Sequence, residues 1–107
     1  MEVKLKIWIE ENGQLLFGRG REILLLAIKE TGSLSQAAKK LNMSYRGAWG
    51  RLRASEDRLG VKLIERGGKK KRGMELTEEG RDFLEKYRML RQETEEFLSS
   101  RAKELFG

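Results

Sequence analysis

Cations, not nucleophiles, are the residues of this chain with chemistry to offer. The sequence contains no Cys and no His. A Ser–His or Cys–His catalytic pair therefore cannot be assembled, and a thiolate or imidazole metal site is excluded. An all-oxygen metal site would need a calcium-loop spacing, and none occurs. The acids show no pairing that reads as a general acid and base, so neither an enzyme nor a cofactor is expected. Lys and Arg together number 23 against 17 Asp and Glu, a formal net charge of +6. The excess is local. Residues 1–32 are balanced. Residues 33–73 carry twelve Lys or Arg against only Glu56, Asp57 and Glu65, and residues 74–107 are net acidic. A basic block of this kind is the electrostatic footprint of a polyanion-binding surface.

Within the block, the arginines fall into a pattern when Tyr45 to Leu59 is laid on a helical wheel. Tyr45, Ala48, Trp49, Leu52, Ser55 and Leu59 share one side. Gly47, Gly50 and Ala54 lie near the middle of the opposite side, with Arg46 and Arg53 on one edge and Arg51 and Arg58 on the other. A bare centre between guanidinium edges suits a helix pressed against a duplex, where small residues allow approach and Arg reaches phosphates or guanine edges. Two interior glycines cost such a helix roughly 0.5–1 kcal/mol each. Close approach to DNA is the compensation expected for both.

That helix needs elements to hold it. Gly32 can end a preceding helix, Ser33 can cap the next, and Gln36 three residues on completes a capping-box pattern. Ala37, Ala38 and Leu41 give residues 33–41 a small inward face that lets a second helix cross closely. Asn42 and Met43 form the turn, and Ser44 is the next N-cap. Residues 33–59 thus read as a helix-turn-helix, whose second helix enters the major groove. Ser33, Ser35 and Gln36, at the head of its first helix, are counted with the DNA-facing residues.

Around this unit the chain supplies two hairpins and two longer helices. Val3, Leu5, Ile7 and Ile9 alternate with Lys4, Lys6, Trp8 and Glu10, the period of a half-buried strand. Asn12-Gly13 is a strong hairpin turn, with Gln14–Phe17 returning, so residues 3–17 form an N-terminal hairpin. Trp8 falls on the polar face, available to a neighbour, a partner subunit or, less expectedly, a nucleic-acid base. Gly18-Arg19-Gly20 breaks the strand, and a broad apolar arc predicts a core helix from about Arg21 to Thr31 that carries no chemistry. After Gly60, Val61–Arg66 and Met74–Leu76 read as strands of a second hairpin, residues 61–76. Its glycine-bounded tip carries Lys69, Lys70, Lys71 and Arg72, expected to contact phosphates without reading bases. Thr77-Glu78-Glu79 opens a last helix to about Leu105. Phe83, Tyr87, Leu90, Thr94, Phe97 and Arg101 make a heptad-type seam on it, with Leu84, Leu98 and Leu105 beside it. A helix so long projects from a small domain, and a second copy of the chain is its expected partner; the alternative is that it folds back on its own domain. The expected dimer interface comprises Phe83, Tyr87, Leu90, Thr94, Phe97 and Leu98. No run is apolar enough to span a membrane and no signal peptide opens the chain, which makes the cytoplasm the default.

Ser44-Tyr45-Arg46-Gly47-Ala48-Trp49 resembles the Ser-Tyr-basic-x-Ala-Trp signature in the DNA-binding domain of ModE-type molybdate-dependent transcriptional regulators. Residues 32–38 resemble the segment before that signature. Gly67-Gly68-Lys69 and Leu76-Thr77-Glu78-Glu79-Gly80 resemble its wing and the start of its long helix. Leu59-Gly60-Val61-Lys62-Leu63-Ile64-Glu65-Arg66 is similar to the corresponding piece of LysR-type regulators. The resemblance implies a mainly α fold with small β-hairpins: a winged helix-turn-helix over residues 1–76 and a long dimerisation helix over 77–107. It also implies a palindromic operator, with Ser44, Tyr45 and Arg46 meeting DNA and Ala48 and Trp49 packing inward. The sequence ends at Gly107, where the full-length regulators continue into a molybdate-binding domain. The expectation is a form without a ligand-binding domain, standing alone or served by a separate effector-sensing protein.

The leading expectation is thus a homodimeric, sequence-specific regulator that binds double-stranded DNA. The alternatives are an architectural, nucleoid-type DNA protein of low sequence preference, which the basic wing favours, and a protein-interaction winged helix, which the central charge opposes.

Overall fold

The computed structural model describes residues 1–69 and 72–107; Lys70 and Lys71, expected to contact phosphates, lie outside the described residues. The order of elements is β1 (Ile9–Glu11), β2 (Gln14–Phe17), α1 (Arg19–Thr31), α2 (Leu34–Lys40), α3 (Tyr45–Leu59), β3 (Ile64–Arg66), β4 (Met74–Leu76) and α4 (Glu78–Phe106). β1 pairs antiparallel with β2, and β3 with β4, giving two separate hairpins.

The N-terminal strand is much shorter than its alternation predicts, beginning at Ile9 rather than Val3. Its partner is only four residues long and runs out at Phe17, because α1 starts immediately after the Gly18 N-cap. Val3 and Leu5 have no strand to pair with and stay exposed; with Met1 they line a shallow groove beside Leu98, Ala102 and Phe106 of α4. Asn12 and Gly13 both adopt positive φ (51° and 78°), as a type I′ hairpin turn requires. Gly18 alone breaks the chain, and Arg19 and Gly20 belong to α1.

One core lies where the helices meet, built from Phe17, Leu24, Leu25, Ile28, Ala37, Ala48, Leu52, Leu63 and Leu84, among others. Phe17 is its aromatic centre, with ring centroids 5.0 Å from Phe83 and 5.1 Å from Tyr87. Tyr87 is 2% exposed and donates its hydroxyl to the Ile7 carbonyl at 2.8 Å. It is therefore a core residue of its own chain and not part of a dimer seam, and Phe83 is half-buried beside it. The seam expected at 3.5-residue spacing is split: its first turns close the core, and only its distal part remains open.

The broad apolar arc of α1 is joined inside the fold by one buried acid. Glu22 is fully buried and accepts from Arg91 of α4 (Nε at 3.0 Å, Nη2 at 2.9 Å) and from Arg19 (2.5 Å), with Arg88 at 3.7 Å. Burial pushes the Glu22 carboxyl up, but the Arg91 and Arg19 hydrogen bonds outweigh it and hold the group below its ordinary 4.5. The same bonds, with that to Glu95, raise Arg91 above the usual guanidinium range. This ion cluster fastens α4 to α1 where the aromatic contacts end.

The second hairpin is also shorter than expected, starting at Ile64 rather than Val61, because α4 occupies the space where earlier pairing would form. Thr77 donates its N–H to the Leu63 carbonyl (3.0 Å) and its hydroxyl to that of Lys62 (2.6 Å). Its Oγ1 also accepts from Gly80 N–H at 2.9 Å as the N-cap of α4. A Cβ at Gly80 would lie 2.1 Å from the Leu63 carbonyl oxygen, so only glycine lets α4 seat on this strand. Among the described residues no helix is long and apolar enough to cross a membrane.

Candidate nucleic-acid interface

α2, α3 and the tight turn between them carry the candidate interface. Ser33 caps α2, its Oγ accepting from Gln36 N–H at 3.2 Å. Its own N–H is donated to Thr31 Oγ1 at 3.3 Å. The turn closes by the Schellman pattern, with Met43 N–H donating to Ala38 O (2.9 Å) and Asn42 N–H to Lys39 O (3.2 Å). Asn42 stands in the left-handed region at φ 58°, a role Asn fills where Gly is absent. Ser44 then caps α3, its Oγ accepting from Gly47 N–H at 2.9 Å. Both hydroxyls keep their proton available for a phosphate oxygen.

The wheel places most of α3 correctly. Ala48, Leu52 and Ser55 are fully buried, and Trp49 is half-buried against the core. Arg46, Gly50, Arg51, Arg53 and Arg58 are exposed. Tyr45, drawn inward by the wheel, is instead 54% exposed. At the first position of the helix no preceding turn covers it, so its ring lies out toward the wing. There it lines a cleft with Ser33, Ser35, Arg66 and Arg72.

The two glycines differ. A Cβ at Gly50 would meet nothing within 4 Å, whereas one at Gly47 would sit 2.9 Å from Ser44 Oγ. Gly47 is thus accounted for by the cap inside the protein, and only Gly50 is a bare spot facing outward. Among the described residues, Arg46 and Arg51 have no carboxylate within 4.0 Å, while Arg53 pairs with Asp57 at 3.6 Å.

Two residues that organise this surface are missed by sequence reasoning. Glu56 is only 5% exposed, and its Oε2 accepts from the N–H groups of Leu63 (2.7 Å) and Ile64 (3.3 Å). It ties the last turn of α3 to the first residues of the wing. The one signal available was an acid inside a strongly basic block. Arg66, read only as a strand end, lines the same cleft as Tyr45.

A three-helix core with a tight-turn helix pair, followed by a basic two-stranded hairpin, defines a winged helix-turn-helix DNA-binding domain. The family described as "Bacterial regulatory helix-turn-helix protein, lysR family" matches residues 23–81, and the chain belongs to it. Among curated proteins, it is 39% identical over 80 residues to the transcriptional regulator ModE of Yersinia pestis, covering 72% of this chain and 30% of that protein. It is 34% identical over 90 residues to the molybdenum-pterin-binding protein MopB of Rhodobacter capsulatus, covering 82% and 33%. Among solved structures, the DNA-binding domain of CbnR in complex with DNA superposes with a TM-score of 0.60 at 34% identity, covering 78% of this chain and 94% of that one. The OxyR C206 mutant of Corynebacterium glutamicum gives 0.58 at 32%, covering 82% and 27%. The chain spans about a third of the length of the curated relatives it matches. It is a helix-turn-helix domain of the lysR regulatory family, with similarity to ModE regulators over the same residues.

Proposed function

We propose that the chain binds an operator as a homodimer and reads its sequence with α3. The observation that carries this is Gly50: a bare point on an exposed helix, with unpaired arginines on either side. A duplex pressed there brings Arg46 and the Ser44 and Tyr45 hydroxyls within reach of base edges and flanking phosphates. Gly47, Arg51 and Arg53 complete the helix face, and Ser33, Ser35, Gln36, Lys69, Lys70, Lys71 and Arg72 supply backbone contacts. The chain covers 94% of a chain described as a DNA-binding domain in complex with DNA, but only about a third of relatives named for molybdenum. DNA is therefore the ligand assigned here.

The partner is a second copy. α4 has 29 residues, about 44 Å of helix, and the chain is 53 Å in its longest dimension. Leu90 and Phe97 are 47% and 70% exposed, and they share a stripe with half-buried Thr94. Burying that stripe against its copy would pair two α3 helices, which must stand about 34 Å apart to enter successive major grooves.

Competition between an operator selected from random duplexes and bulk random DNA tests the reading. Strong discrimination is expected, and Arg46→Ala should reduce it. Equal affinity for both pools would identify an architectural protein instead. Neutralising Lys69 to Arg72 should weaken all sequences alike.

A further inference from the structure

On the edge of α3 away from the wing, Arg51 and Arg58 of α3 stand close to Arg21 of α1, which bonds a buried hydroxyl. Ser55, fully buried, donates its hydroxyl to the Leu16 carbonyl at 2.6 Å and accepts from Arg21 Nε at 3.1 Å. Arg58 donates to the Leu15 carbonyl. Arg51 reaches across to α1, its Nη1 standing 4.0 Å from the position of a Cβ on Gly20. A backbone carbonyl and a serine, both neutral, hold two of these cations in place. Among the described residues no carboxylate lies within 4.0 Å of any of the three. The proximity has a cost: burial first, then repulsion by Arg51 and Arg58, holds the Arg21 guanidinium below its ordinary value. Neighbouring Arg19, by contrast, is matched to Glu22.

An unneutralised cluster held by neutral tethers is built for an anion from outside. Its place decides which. The major groove is about 12 Å wide, close to the 10–12 Å diameter of a helix with its side chains. A helix lying in the groove with Gly50 at its centre has one phosphate strand along each edge. The wing-side edge carries Arg46 and Arg53. The opposite edge carries Arg51 and Arg58, with Arg21 beside them.

We propose that Arg21, Arg51 and Arg58 form a second phosphodiester-binding site, which clasps the DNA strand opposite the one met by the wing. The inference rests on the DNA-binding reading above and extends the footprint to α1 and the N-terminal hairpin. Arg21 and Arg58 position the protein on the backbone and read no bases.

The test is the salt dependence of affinity for the selected duplex, measured by fluorescence anisotropy on the full chain. The variants are Arg21→Gln, Arg51→Gln, Arg58→Gln and, as reference for the wing, Lys69→Gln. Each lost phosphate contact should reduce the log–log slope by about 0.9, so that affinity falls about 3.5-fold less between 50 and 200 mM salt. The preference for the selected over random sequence should not change for Arg21→Gln or Arg58→Gln. Arg58→Lys should restore the slope, which a folding defect would not allow. If Lys69→Gln lowers the slope and the three arginine variants do not, the second site is wrong and the DNA-binding reading stands. Absence of salt-dependent DNA binding by the wild type would sink both. Saturable shifts of the three arginine Nε–H resonances on adding inorganic phosphate, with an unchanged slope on DNA, would make the cluster a free-oxyanion site and overturn the assignment.

Discussion

A methyl group added at Gly80 would stand 2.1 Å from a backbone carbonyl oxygen, while one at Gly50 would touch nothing within 4 Å. The same substitution should therefore have opposite effects at the two sites. Gly80→Ala forces α4 off the Leu63 carbonyl and should destabilise the fold by roughly 3 kcal/mol in urea unfolding, the upper range for overpacking. Gly50→Ala should stabilise it by about 0.5–1 kcal/mol through helix propensity, yet weaken DNA binding by intruding on the approach. Stability and affinity moving together at Gly50 would contradict its assigned role. Glu56 is a third residue whose importance lies in its partners. Glu56→Ala leaves the Leu63 and Ile64 N–H groups buried without an acceptor and should cost about 2 kcal/mol, whereas Glu56→Gln keeps one oxygen and should cost less. Only its sign, an acid in a basic block, marks Glu56 in the sequence, because its partners are backbone groups seven and eight residues away.

At the scale of elements, the caps and turns are legible in the sequence and the ends of the strands are not. Ser33, Ser44 and Thr77 cap the helices they precede, and Gly32 and Gly60 end theirs with positive φ. These are local effects, settled within four residues. The strands start at Ile9 and Ile64 and not at Val3 and Val61, because alternation shows which face is apolar but not whether a partner strand exists. Likewise the heptad spacing of Phe83, Tyr87, Leu90 and Phe97 is real, but it cannot say where the helix stops serving its own core. Phe17 decides that by packing on Phe83 and Tyr87. The open part of the seam carries the dimer proposal. Phe97→Glu should convert the dimer to monomer in sedimentation equilibrium and leave the melting temperature of the folded monomer nearly unchanged, since Phe97 is 70% exposed. Loss of folding in that variant would place Phe97 in an intrachain contact instead. The α1–α4 joint is sensitive to acid. The Glu22 carboxyl is held below its ordinary value, so its contribution is complete above the unfolded value and disappears as pH falls through the folded one. Unfolding in urea from about pH 6 to about pH 3 should show wild-type stability declining more steeply than that of Glu22→Gln. The variant should be roughly 3 kcal/mol weaker at neutral pH, because Arg91 and Arg19 lose their buried counter-charge and Arg91 keeps only the exposed Glu95.

Over the whole molecule, function follows from how charge is distributed. Acids are concentrated on α4, and the cations on α3 and around it are left with few internal partners. The charge count alone points to a polyanion. The exposed face of α3 follows from the wheel, with Tyr45 corrected by its place at the helix start. Neither gives the arginine cluster around Ser55, which exists only because the hairpin and α1 fold onto the far edge of α3. The central claim is that a duplex lies along the exposed Gly50 side of α3. Mapping amide shifts of the protein by NMR as a selected duplex is added tests it most directly. The account predicts the largest changes from Ser44 to Arg53 and at the wing around Lys69 and Arg72, with smaller ones at Arg21 and Arg58. Changes concentrated on α4, with Gly50 and Arg46 unmoved, would contradict it.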